Sequence, residues 1–107
     1  MPNPHRGEIE AILDDRPRTL RLTLGALAEL ETALSVPDLV ALAERFEAGH
    51  LSARDAIAVI GAGLRGAGGT ETDTDVAAMR LDGPASKAME ITAALLAAAF
   101  GTDVEAG

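Results

Sequence analysis

The chain reads as an α+β protein, mainly helical, in which an N-terminal β-hairpin packs on a bundle of four to five helices. Three observations predict this. Apolar residues alternate with polar ones from Gly7 to Leu24. Beyond that point they recur at helical spacing, behind residues that favour helix N-termini. Glycine and proline then punctuate the helical stretches at Gly49, Gly66 to Gly69 and Gly83-Pro84.

In the first arm of the hairpin Ile9, Ala11 and Leu13 alternate with Glu8, Glu10 and Ile12. In the second, Leu20, Leu22 and Leu24 alternate with Thr19, Arg21 and Thr23. Such alternation belongs to strands with one face buried. Asp14-Asp15-Arg16-Pro17 has turn composition. Closing the loop over these residues pairs Leu13 with Arg18, Ala11 with Leu20, Ile9 with Leu22 and Glu10 with Arg21. A two-stranded hairpin is marginal alone, so its apolar face must lie on helices.

The first helix is expected from about Gly25 to Leu34, with Thr23 as N-cap and Leu27, Leu30 and Leu34 on one face. Ser35 to Asp38 is a second cap signal, with Pro37 placed in the first turn, where its missing N–H costs nothing. Leu39, Leu42 and Phe46 then mark a helix ending near Gly49. A third runs from about Ala53 to Arg65. Ser52 and Asp55 resemble a capping box before it, and Gly66 is the expected C-terminal cap. Residues 67–75 read as a flexible acidic linker. Val76, Met79 and Leu81 suggest a short helical segment, and Pro84 opens a last helix from about Ala85 to Phe100. Its larger apolar residues are Met89, Leu95, Leu96 and Phe100. Alanine covers both faces of its C-terminal half, so its apolar surface is broad. That breadth fits either a central core helix or a helix shared with a second protein. Residues 102–107 read as a disordered tail, leaving one domain over 1–101.

Gly61, Gly63 and Gly66 spell G-x-G-x-x-G after the apolar run Ala56-Ile57-Ala58-Val59-Ile60. A dinucleotide site needs a strand ending at the first glycine and a helix N-terminus facing the pyrophosphate. Here the cap residues Ser52 and Asp55 make the upstream run a helix, and a polar linker follows Gly69. The acid at about the expected spacing of 20 residues is Asp82, which sits in a turn. The glycines therefore read as a helix end, and a small nucleotide-binding protein remains a remote alternative.

Composition narrows the partners. The net charge is −8, which argues against nucleic acid and against anionic membrane surfaces. Phe46 and Phe100 are the only aromatics, so the core must be aliphatic and base stacking is unavailable. Cysteine is absent, which excludes thiolate chemistry. The N-terminus lacks the apolar region of a secretory signal, and the longest apolar run, Ala93 to Phe100, is far short of the ~20 residues a membrane helix needs. His5 and His50 are not paired with other ligands, and Glu71, Asp73 and Asp75 lack the calcium-loop pattern. Asp14 and Asp15 sit at a turn tip, where both stay ionised. No catalytic constellation stands out, so the expectation is a non-enzymatic protein with no cofactor and no metal.

Three segments together resemble one family. They are Asn3-Pro4-His5-Arg6-Gly7-Glu8-Ile9, then Leu20-Arg21-Leu22-Thr23-Leu24-Gly25-Ala26-Leu27-Ala28-Glu29-Leu30-Glu31, then Leu51-Ser52-Ala53-Arg54-Asp55 leading to Ile60-Gly61-Ala62-Gly63-Leu64-Arg65-Gly66. In that order they resemble the gene-transfer-agent relatives of phage tail assembly chaperones, formerly described as tail tube proteins. The resemblance spans Asn3 to about Phe100. It implies a mainly helical fold and a chaperone that binds the tape measure protein and assists tail tube assembly. It implies the tape measure protein as partner, the tail tube protein as a second one, and a place in the host bacterial cytoplasm or with the particle. A homo-oligomer is compatible with it. A structural tail component retained in the particle is the alternative. A tube subunit would need more strand than one hairpin. The apolar residues best placed to meet a partner are Leu39, Leu42 and Phe46 on one helix, and Met89, Leu95, Leu96 and Phe100 on the last.

Overall fold

The hairpin opens the fold and is tighter than its sequence suggests. The computed structural model describes residues 7–81, 83 and 86–100, with the backbone only at Leu39. Strand β1 (Glu8–Leu13) and strand β2 (Arg16–Arg21) form a two-stranded antiparallel sheet. Leu13 pairs with Arg16, Ala11 with Arg18, Ile9 with Leu20 and Glu8 with Arg21. The turn is therefore only Asp14-Asp15, both in the left-handed region at φ 54° and 65°. Two central residues with positive φ suit the right-handed twist of the flanking strands, and Asp tolerates that conformation.

The expected register is thus wrong by two residues. A shift of two keeps each side chain on its face, so the apolar pattern holds while the partners change. Arg21 meets Glu8 at 3.6 Å rather than Glu10. Pro17 falls opposite Ile12, inside β2. The pair flanking a two-residue turn exchanges hydrogen bonds, so the next pair does not, and proline loses nothing toward β1 there. The strand alternation also ends early. Leu22 is buried just past β2, but Leu24 is 85% exposed.

Five helices follow: α1 (Leu24–Ala33), α2 (Leu39–Glu47), α3 (Ala53–Gly66), α4 (Asp73–Ala77) and α5 (Lys87–Phe100). Each of the first four has a side-chain N-cap. Thr23 accepts from the Ala26 N–H at 3.1 Å and Asp38 from the Ala41 N–H at 2.9 Å. Ser52 with Asp55, and Thr72 with Asp75, form complete capping boxes. Because Asp38 is the cap of α2, Pro37 lies before the helix and not in its first turn. The segment read as an acidic linker contains the start of α4. Pro84, Ala85 and residues 101–107 lie outside the described residues.

Helix α3 is the centre. It packs on β2, α1, α5 and α4. Val59, Ala62 and Leu64 are buried, and they join Leu20, Leu30, Leu42 and Leu95 in one aliphatic core. The helix ends one residue later than expected. Ala67 is the C-cap, and Gly68 at φ 100° supplies the left-handed residue that was assigned to Gly66. Gly66 is needed for another reason. A Cβ there would overlap the Arg21 carbonyl oxygen of β2. At Gly63 a Cβ would stand 2.5 Å from Leu95 Cδ2 and 3.2 Å from Leu20 Cβ. The glycines let the hairpin and α5 close onto one helix face.

Candidate functional site: an apolar cleft on the central helix

The start of α3 borders an apolar cleft, where Ile57 is partly exposed and Ala56 and Ile60 are buried. Ala56, Ile57 and Ile60 form the floor of a cleft of about 420 Å³. Val76 and Met79, from α4 and the turn after it, form one wall together with Leu81. Ala88 and Met89, from the first turn of α5, form the other. Buried Leu13 and Leu51 and exposed Ala53 complete the lining. The lining has no charged side chain. Clefts of this size and composition suit apolar side chains of a ligand or partner.

Polar contacts hold the α4 wall in place. Arg65, in the last turn of α3, donates from Nη2 to Glu29 at 3.0 Å, and from Nη1 to Asp73 at 3.1 Å and the Glu71 carbonyl at 2.9 Å. Burial lowers the affinity of this guanidinium for its proton, but the pairings with Glu29 and Asp73 outweigh it and raise its pKa. Arg18 on β2 meets Glu71 at 2.8 Å. Hydrogen bonding from Arg18, and then from the Glu71 backbone N–H, holds the Glu71 carboxyl below its ordinary value. The same contact, first through its hydrogen bond, raises Arg18. At the far end of the wall, the Asp14 N–H donates to the Arg80 carbonyl at 2.9 Å. The Arg80 N–H donates to Asp14 Oδ1 at 3.0 Å, and the Arg80 side chain pairs with Asp15.

The residues singled out from sequence divide. Met89 lines the cleft. Leu42, Leu95 and Leu96 are buried in the core. Phe46 and Phe100 are half-buried against it. The side chain of Leu39 lies outside the described residues. The cleft unites Met89 with Ile57, Ile60, Val76, Met79 and Leu81, which the sequence marked only as helix-face residues. Their grouping depends on α4 folding back onto α3, and no local pattern encodes that.

The G-x-G-x-x-G segment is helical throughout, so no strand ends at Gly61 and no helix begins after it. The geometry of a phosphate cradle is missing at Gly61, Gly63 and Gly66. Among the described residues no group of three or more His, Asp or Glu is placed to hold a metal ion. His50 is exposed, and His5 lies outside the described residues. No helix among them is long and apolar enough to cross a membrane.

A two-stranded sheet on a helical bundle, with an apolar cleft and a net charge of −8, defines a small acidic α+β protein. A family model described as "Phage tail tube protein, GTA-gp10" matches residues 6–102. The chain belongs to this family of gene-transfer-agent and phage tail proteins. No curated protein and no solved structure matches it.

Proposed function

We propose that this tail protein is a non-enzymatic assembly chaperone that binds the tape measure protein and assists the tail tube subunits in assembling around it. The observation that carries the reading is the apolar cleft over Ile57 and Ile60, with movable Met79 and Met89 side chains at its walls. Methionine adapts to varied apolar partners at little cost. A helix could lay its apolar stripe there, as amphipathic helices do in hydrophobic grooves. The net charge of −8 supports solubility while such a surface is open. On this reading the protein works in the host bacterial cytoplasm.

The test is co-expression with a gene-transfer-agent tape measure protein, followed by pull-down. Ala53→Asp puts a carboxylate at an exposed residue of the cleft lining, the first of α3, where an acid also suits the helix N-terminus. That variant should fold like the parent and lose about tenfold or more in tape measure affinity, the cost of desolvating a charge at the contact. Unchanged capture by Ala53→Asp would remove the cleft from the reading.

A second reading, a structural component retained in the particle, is favoured by the family's description as a tail tube protein. Against it, the described residues hold a single two-stranded sheet. Stoichiometric amounts of the chain in purified particles would select this second reading.

A further inference from the structure

The segment from Thr70 to Leu81, which carries α4, crosses α3 as a strap. Val76 is its only buried residue. Val76 belongs to the aliphatic core, and Met79, three residues on, packs against that core. The Met79 N–H donates to the Val76 carbonyl at 3.0 Å, which keeps the turn tight. Residues three apart share one face of a helical segment, so Val76 and Met79 line the cleft together with Ile57 and Ile60 of α3. An amphipathic helix presents its apolar stripe to a groove in the same way. The helix start is self-contained, because Thr72 and Asp75 form their own capping box.

The two ends of the strap are fastened differently. At the Leu81 end the backbone holds it. The Asp14 N–H donates to the Arg80 carbonyl at 2.9 Å, and Leu81 bridges Leu13. At the Thr70 end the fastenings come from arginine side chains. Arg18 meets Glu71 at 2.8 Å, and Arg65 reaches Asp73 at 3.1 Å and the Glu71 carbonyl at 2.9 Å. Ion pairs open to water contribute little each, and the Asp73 side chain is half exposed. Gly68 precedes this end at φ 100°, with nothing within 4 Å of where its Cβ would stand. It is a free joint next to weak fastenings. The Thr70 end is therefore the one that releases.

We propose that the α4 strap is a built-in stand-in for a partner's helix. It covers the α3 groove in the free chain, and an amphipathic helix of a partner protein displaces it, starting from the Thr70 end. The net charge of −8 selects a partner helix with basic residues on its polar face. The proposal rests on the reading of the cleft as a helix-binding surface, and it turns α4 from a wall of that surface into a competitor for it. A competitor lowers the apparent affinity by the fraction of molecules in which the groove is open. Loosening the strap therefore strengthens binding, whereas damaging a wall weakens it.

The probe is the peptide acetyl-Lys-Leu-Lys-Ala-Leu-Leu-Lys-Ala-Leu-Lys-amide, whose leucines recur at helical spacing. Its control has the same composition at strand spacing, acetyl-Leu-Lys-Leu-Lys-Leu-Lys-Leu-Lys-Ala-Ala-amide. The chain has no cysteine, so Gly61→Cys with Asp73→Cys introduces one defined pair. A Cβ on Gly61 stands 3.5 Å from Asp73 Cγ, the place a sulfur would take, and a disulfide closes that spacing. The oxidised variant should bind the helical peptide about tenfold or more weaker than the same variant reduced. Val76→Ser tests the same point without a new bond. It loosens the strap and should bind about threefold or more tighter than the parent, with the helical circular dichroism retained. Equal binding by the oxidised and reduced forms, weaker binding by Val76→Ser, or no preference for the helical peptide would each overturn the proposal. Failure to capture the tape measure protein, with these peptide results intact, would remove the chaperone reading and leave the strap mechanism standing.

Discussion

Helices α2 and α3 look alike in sequence and have opposite roles in the structure. Each begins at a side-chain cap, Asp38 and Ser52, and each carries an arginine in its last turn, Arg45 and Arg65. Each shows apolar residues at helical spacing. Yet α3 buries nine of its residues, and among the described side chains of α2 only Leu42 is buried. Val40 of α2 is 65% exposed. The arginines differ in the same sense. Arg45 ties α2 to its neighbours through the Leu34 carbonyl at 2.7 Å and Asp55 at 3.6 Å. Arg65 ties three other segments, at Glu29, Glu71 and Asp73, onto α3. Local helix signals state that a helix forms. Its rank in the core depends on how many elements can approach it. The glycines of α3 allow that approach, and α2 has none.

The sharpest way to break this contrast is Gly66→Ala. The new methyl group must push the Arg21 backbone of β2 away from α3, and overpacking against backbone costs about 3 kcal/mol. Gly61→Ala is the control in the same helix. Its Cβ meets the ends of the Asp73 and Arg65 side chains, which can move. The helix-propensity gain of about 1 kcal/mol offsets that displacement. Urea denaturation of both variants measures the difference. Equal losses would mean that the glycines are not serving close approach.

Leu42→Ala should cost about 2–3 kcal/mol, at the lower end for a buried leucine, because α2 has few other neighbours to disturb. Hydrogen exchange should show the loss first in α2, with the α3 amides between Val59 and Leu64 keeping more protection. Uniform loss across both helices would place α2 within one cooperative unit with α3.

The smallest expected effect concerns acid. Glu71 is held below its ordinary value of 4.5 by Arg18, so the folded chain binds fewer protons there than the unfolded chain. Its stabilising contribution is full above that value and is lost as pH falls through the lower folded value. In Glu71→Gln the α3–α4 connection should lose this part of the acid dependence. Melting temperatures of parent and variant should converge below pH 4.5. A constant offset between them at all pH values would assign the effect of Glu71 to packing rather than charge.

Much of the fold was legible in the chain. The hairpin and the long helices announced themselves because alternation, helical spacing and N-caps are encoded within a few residues. The capping box at Ser52 and Asp55 is a good case: both hydrogen bonds, at 3.2 and 3.0 Å, form as the letters suggest. Errors arose where two local rules competed. Pro17 looked like a turn residue, although a proline is equally at home at a non-hydrogen-bonded position of a two-stranded sheet. Pro37 fits a first helical turn as well as the position ahead of a cap, and Asp38 decided between them. The candidate site was less legible. Met89 was singled out, while Ile57, Val76, Met79 and Leu81 were seen only as separate helical residues.

The sequence by itself determined the α+β class, the helix N-termini and the aliphatic character of the core, because these follow from composition and short-range periodicity. Only the tertiary structure decided the hairpin register, the rank of α3 over α2 and the existence of the cleft. Those features depend on distances between residues far apart in the chain. Gly66 shows the difference most directly. Its letter matches a phosphate-binding motif or a helix cap, and only the position of the Arg21 carbonyl reveals why a side chain has no room there.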